Sequence, residues 1–293
     1  MPLPTRPRLL AHGVDKLGLA SDEALIALLD HYPETLFDIN AYSFDDEGQV
    51  SLETGARGRA DGATVLAAIK AGRLWVNLRD IQDAHPALWD PINAVFEENA
   101  RALGFSPIKT TGQLILSSPG TKVPYHFDAA GVMLFHLRGR KRLFVYPPDE
   151  AHLPQAEMEQ VIMRTTTEEL TYRRDFDANA EVYDLEPGQA LTWPLYAPHR
   201  VENLDVFNVS VSLDFQTLET RLTRGAHYAN GVMRNRWGLT PRPMEQTPLA
   251  ARAALWAASL AMKKANLAEN RIKDFERSFE LGDDKADDQR KVG

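Results

Sequence analysis

Between about residue 106 and residue 216 the chain breaks into short runs of strand-forming residues separated by turn signals, and few folds tolerate that punctuation. Gly112–Pro119 is an apolar stretch that ends in a turn, and Gly131–Arg138 and Lys141–Pro148 flank a Gly139-Arg140 turn. Tyr183–Trp193 passes through a Pro187-Gly188 turn into another strand, and Val206–Phe215 alternates and is rich in β-branched residues. Strands this short, with turns between them, build an antiparallel barrel or jelly roll. The expected fold is mainly β, a double-stranded β-helix with helical additions before and after it.

Two motifs lie on these strands. Side chains repeat every two residues along a strand, so His126 and Asp128 leave the same face. His199, in the segment Trp193–Asn203, comes from a later strand and can close a three-ligand set on one side of a metal ion. Two histidines and one carboxylate leave open positions opposite, an arrangement suited to non-haem Fe(II) oxygen chemistry. The chain has no cysteine, so disulfides and thiolate metal sites are excluded, and imidazole and carboxylate remain as strong ligands.

Over residues 106–216 the chain resembles the Jumonji-C and cupin-like Fe(II)/2-oxoglutarate oxygenases, most of all the branch containing the asparaginyl hydroxylase of hypoxia-inducible factor. Three elements carry the likeness: His126-Phe127-Asp128, the turn Gly139–Arg142 followed by Tyr146-Pro147-Pro148, and Pro194–His199. The resemblance implies a cupin-like jelly-roll core. It makes His126, Asp128 and His199 iron ligands. It also makes Lys141, fifteen residues after the first histidine, the anchor for the distal carboxylate of 2-oxoglutarate. The implied cofactors are Fe(II), 2-oxoglutarate and O2. The implied reaction is hydroxylation of a C–H bond with release of succinate and carbon dioxide.

Three positions depart from that branch. Val123 stands where it has a threonine, Val132 where it has an asparagine, and Asp214 where another asparagine would fall. Ser117, Ser118, Ser210 and Ser212 are candidate substitutes, and Ser117, Ser212 and Asp214 are carried forward with Lys141 as expected co-substrate contacts. Tyr125, Val132, Leu134, Trp193 and Tyr196 are the expected substrate pocket, with a core role for Tyr125 and Trp193 kept open. His136 shares strand parity with Val132 and Leu134, and reads as a packed core histidine.

Composition fits an enzyme with one large domain. The chain has 293 residues, 44% of them hydrophobic, and a net charge of -8. The acidic balance lacks the footprint of a nucleic-acid binder. No apolar run approaches a bilayer span, and Met1–Arg8 lacks a signal-peptide core, so a cytoplasmic location without membrane association is expected. The organisation reads as an N-terminal helical or mixed region over 1–105, a Jumonji-C-like barrel over 106–220, and a helical region over 221–293 ending in an acidic tail. The apolar helix within Thr247–Met262 calls for a burial partner, either the barrel or a second copy of the chain in a homodimer. The expected substrate is a peptide or protein side chain or a small molecule. The alternatives are a cupin-type metalloenzyme that does not use 2-oxoglutarate and a non-catalytic barrel that serves as a binding module.

Overall fold

The computed structural model describes residues 3–44, 50–72, 74–167, 170–268 and 277–281. Its strands are β1 (Arg8–Ala11), β2 (Phe37–Phe44), β3 (Val50–Ala56), β4 (Leu74–Leu78), β5 (Lys109–Ser117), β6 (Lys122–His126) and β7 (Gly131–Arg138). They continue as β8 (Lys141–Val145), β9 (Glu181–Leu185), β10 (Gln189–Thr192), β11 (His199–Asn203), β12 (Asn208–Gln216) and β13 (Phe279–Glu280). A nine-stranded sheet runs β1-β10-β7-β12-β5-β4-β2-β3-β13, and a four-stranded sheet runs β6-β11-β8-β9. From β5 to β12 the chain passes back and forth between the two sheets, remaining in the small sheet only from β8 to β9, as in a jelly roll.

The two sheets enclose one interior. Val132 and Leu134 of β7 and Leu191 of β10 pack there against Leu143 and Val145 of β8, Leu185 of β9 and Val201 of β11. The opposite face of the large sheet carries a second core, in which Met133, Phe135, Val209, Val211 and Leu213 meet the helices before the barrel. Those helices are α1 (Asp22–His31), α2 (Gly62–Ala71), α3 (Ile81–Ala84) and α4 (Pro86–Ala102). Their starts follow the sequence. Ser21 accepts a hydrogen bond from the Ala24 amide at 3.2 Å, and Asp61 accepts one from the Thr64 amide at 2.8 Å. Residues 1–105 also supply β1 to β4, which lengthen the large sheet beyond the jelly roll.

Strand β12 shows how one sequence serves both layers. Val209, Val211, Leu213 and Phe215 face the helices, so Ser210, Ser212 and Asp214 face the interior. Polar residues thus point into the barrel and apolar ones away from it, the reverse of a barrel filled only by packing.

Helix α5 (Gln155–Ile162) is inserted between β8 and β9, and α6 (Leu218–Trp237) and α7 (Leu249–Lys264) follow the barrel. Helix α5 is held against α6 by Met158, Val161 and Val232, and by the fully buried Glu159, which pairs with Arg234 at 2.9 Å. The apolar helix expected over Thr247–Met262 is α7. It packs closely on α6, where Gly225 lets the Trp256 ring approach, while Leu249 and Leu260 stay exposed. The acidic tail from 283 onward lies outside the described residues.

The β7–β8 turn is sterically tight. Gly139 has φ +90°, and a Cβ there would lie 2.4 Å from the Phe207 carbonyl oxygen. A backbone oxygen cannot move aside as a side-chain tip can. Gly139→Ala should therefore destabilise the protein by about 2–4 kcal/mol, combining left-handed strain with overpacking. Thermal denaturation reads this as a drop in Tm of roughly 5–10 °C.

Candidate metal centre and co-substrate pocket

His126 ends β6 and His199 begins β11, and the two residues are direct partners across that antiparallel pair. Their ring centroids lie 4.2 Å apart. Asp128 follows β6 by two residues and brings its carboxylate to 3.3 Å from Nε2 of His199. One ligand atom from each of the three residues falls within 4.8 Å of the others, so all three can reach a single ion. The expected triad is assembled in space, although β6 and β11 are separated by more than 70 residues of chain.

The backbone sets the tautomers. His126 Nδ1 lies 2.8 Å from the Pro124 carbonyl, and His199 Nδ1 lies 3.1 Å from the Ala197 carbonyl. A carbonyl only accepts, so each Nδ1 carries the proton and each Nε2 keeps a lone pair. Burial and the neighbouring His126 push the His199 pKa down to about 4, against the opposing pull of Asp128. At neutral pH His199 is therefore an unprotonated imidazole, the form a metal needs. Trp193 lies against it, with ring centroids 4.6 Å apart. This donor set fits a divalent metal of the Fe(II) type.

Deeper in the barrel, Lys141 opens β8 opposite Asn203 of β11 and Leu185 of β9. It is only 5% exposed, and burial alone pushes its pKa down to about 8. Among the described residues no carboxylate pairs with it. A buried ammonium without a counter-ion is costly, and the cost falls when an anion enters.

The other expected site residues divide between this interior and its surroundings. Val132 and Leu134 line the interior with Trp193, and Ser212 sits opposite Leu134. Asp214 sits opposite Val132, so two of the three departures from the asparaginyl hydroxylase branch are cross-strand neighbours. Ser117 is at the far end, where its hydroxyl accepts from the Asn203 amide at 2.7 Å. Ser118 is occupied by the backbone of Ile69 and Leu74.

Two expected pocket residues lie elsewhere. Tyr125 precedes the inward-facing His126 by one residue and leaves the opposite face of β6, where it joins Tyr146 and Phe176 and donates to the His152 carbonyl at 2.9 Å. Tyr196 has φ +65° and turns its ring edge-on to Phe127, in the cluster with Tyr228 and Val232 of α6. Asn203 was not anticipated, yet strand parity with His199 and Val201 places it on the inner wall of β11.

A barrel that presents two histidines, one carboxylate and a buried lysine to a common interior defines the class: a jelly-roll protein with a metal-type donor set. Residues 57–220, more than half of the chain, match the family described as the cupin-like domain, and the chain belongs to that family. No curated protein sequence matches it. Among solved structures it is similar to Escherichia coli ycfD, at 20% identity and a TM-score of 0.48, with 90% of this chain and 66% of that one covered. It is also similar to the same bacterium's YcfD, a ribosomal oxygenase, in complex with cobalt and 2-oxoglutarate, at 17% identity and a TM-score of 0.47, covering 92% of this chain and 69% of that one. The complex with cobalt and succinic acid matches at 18% identity and a TM-score of 0.46, covering 90% and 64%. This chain thus spans about two thirds of the length of those proteins. These three structures do not include the asparaginyl hydroxylase of hypoxia-inducible factor, so that narrower resemblance rests on the sequence motifs alone.

Proposed function

We propose that this protein is an Fe(II)/2-oxoglutarate-dependent oxygenase that hydroxylates a C–H bond of a peptidyl side chain or a small molecule. The observation that carries the reading is the His126, Asp128 and His199 cluster sharing one interior with the buried Lys141, which has no carboxylate partner among the described residues. His126 and His199 would hold the metal through Nε2, and Asp128 through its carboxylate. Lys141 would hold the distal carboxylate of the 2-oxo acid, and Val132, Leu134 and Trp193 would keep bulk water from the space between. Bound iron would supply the activation of dioxygen, a step for which no side chain has suitable chemistry. The reaction balances: one oxygen atom enters succinate, the other enters the substrate, and carbon dioxide leaves.

A non-catalytic barrel would have no use for an ammonium buried without a partner. A cupin-type enzyme working without 2-oxoglutarate would not need Lys141. No helix among the described residues is long and apolar enough to cross a membrane. The exposed Leu249 and Leu260 on α7 are consistent with a homodimer through the C-terminal helices.

Anaerobic titration of the Fe(II)-loaded protein with 2-oxoglutarate, followed by the metal-to-ligand charge-transfer absorption, tests the reading without knowledge of the substrate. A band that saturates at one equivalent of bound co-substrate is the expected result. Metal binding without a band would overturn it in favour of the cupin-type alternative, and absence of metal binding would favour a binding module.

A further inference from the structure

His136, near the end of β7, and Lys141, which opens β8, flank the β7–β8 turn, and the Lys141 charge acts on the His136 ring; His136 belongs to neither the metal triad nor the apolar core. Strand parity with Val132 and Leu134 directs it inward, and it is fully buried. Its Nδ1 lies 3.0 Å from the Ser210 hydroxyl on β12, the residue directly opposite. In the tautomer in which the Ser210 hydroxyl donates to Nδ1, the ring proton is on Nε2. Among the described residues that Nε2 has no hydrogen-bond partner. The Gly139 carbonyl lies near enough to influence the ring's basicity but is outside hydrogen-bonding geometry with Nε2. A buried donor left unmade costs about 1–3 kcal/mol, so its persistence calls for a reason.

Neighbouring polar groups are already engaged. Asn203 donates its amide to the Ser117 hydroxyl and the Ser118 carbonyl at 2.7 and 2.8 Å. Asn208, beside the Gly139 turn, donates to the Val206 carbonyl at 2.7 Å. Among the described residues, buried donor capacity at this end of the barrel remains on His136 Nε2, Lys141 Nζ and the Thr121 hydroxyl, whose backbone carbonyl accepts from Asn203 at 2.8 Å. Burial, with the Lys141 charge as the next cause, pushes the His136 pKa down to about 3, so the ring is a neutral donor close to an ammonium.

We infer that His136 is a second anchor for the co-substrate, its Nε2–H donating to the same distal carboxylate that Lys141 holds, with Ser210 fixing the ring. This inference rests on the proposed 2-oxoglutarate reading and deepens it, because it makes the end of the pocket selective for a 2-oxo diacid. A 2-oxo monoacid would leave the imidazole donor and the ammonium both unanswered. Ser210 acts through His136 and is a positioning residue.

Calorimetry of the cobalt-loaded full-length protein with 2-oxoglutarate, and with pyruvate as the probe lacking the distal carboxylate, tests the inference without turnover. His136→Leu keeps the volume and removes the donor, and should weaken 2-oxoglutarate binding about tenfold, the value of one charge-assisted hydrogen bond. His136→Gln restores a donor and should recover most of that loss, and pyruvate binding should be the same in all three proteins. Unchanged 2-oxoglutarate affinity in His136→Leu, with weakened binding in Lys141→Ala, would overturn the inference and leave the proposed function standing. Wild-type protein that binds cobalt but not 2-oxoglutarate would overturn both.

A second measurement needs no variant and decides the matter if His136→Leu does not fold. In the zinc-substituted wild type, the Nε2 nitrogen resonance of His136 should move on saturation with 2-oxoglutarate. A resonance that stays in place would overturn the inference.

Discussion

Replacing Asp128 with alanine is expected to abolish high-affinity metal binding and the stabilisation that comes with it. Asp128 is the one carboxylate in the cluster and lies 3.3 Å from His199 Nε2. Without it, two neutral imidazoles remain, and a hard divalent ion loses its electrostatic partner. A metal at a hundred times its dissociation constant stabilises the folded state by about 2.7 kcal/mol. For a chain of this size that raises Tm by roughly 5–10 °C. The wild type should show that rise with Fe(II) under anaerobic conditions or with Co(II), and Asp128→Ala should show none. An equal rise in both proteins would mean that the ion binds elsewhere.

Lys141→Met should move stability and binding in opposite directions. The folded-state pKa near 8 lies below the ordinary lysine value of 10.5, so the ligand-free fold disfavours the charged side chain. Below pH 8 both folded and unfolded chains are protonated there, and the fold bears the whole penalty. Between pH 8 and 10.5 the unfolded chain binds more protons, so wild-type stability rises with pH and the penalty disappears above that window. At pH 7 the difference corresponds to about 3 kcal/mol. Methionine fills similar space without the charge, and ligand-free Lys141→Met should melt about 5–10 °C higher than wild type at pH 7. The same variant should lose about a hundredfold in 2-oxoglutarate affinity, because it removes the charged partner of a buried carboxylate. Thermal melts at pH 7 and pH 10, with calorimetric titration at pH 7, check both halves. A lower Tm at pH 7 would show that Lys141 is a structural residue.

The site was legible in the sequence where strand periodicity and ligand chemistry point the same way. The His126 and Asp128 spacing, the arrival of His199 on a later strand, and the short strands between turns all have local signals, and the sheets bring them together. Tyr125 shows the cost of weighing residue type above parity. One residue before an inward histidine, it must leave the other face, where it packs with Tyr146 and Phe176. Tyr196 has no such warning, because a left-handed backbone turn between Trp193 and His199 breaks the alternation that would place it. The strands of residues 37–78 are a different case. Their joining to the large sheet, through β4 on β5 and β2 on β4, is a long-range choice, and local sequence carries little trace of it. The open donor on His136 depends on what Ser210, Asn203 and Asn208 already satisfy. Hydrogen-bond satisfaction of that kind is a property of the assembled barrel.

Strand β12 keeps Val209, Val211, Leu213 and Phe215 for the helical layer and Ser210, Ser212 and Asp214 for the interior. This division separates the residues that a change of chemistry must alter from those the fold depends on. Asp214 and its cross-strand neighbour Val132 lie on the inward side, while the valines and leucine of β12 pack on the other. Such a strand can drift toward new reactants in small paired steps, each tolerated by a scaffold whose packing lies on its other side.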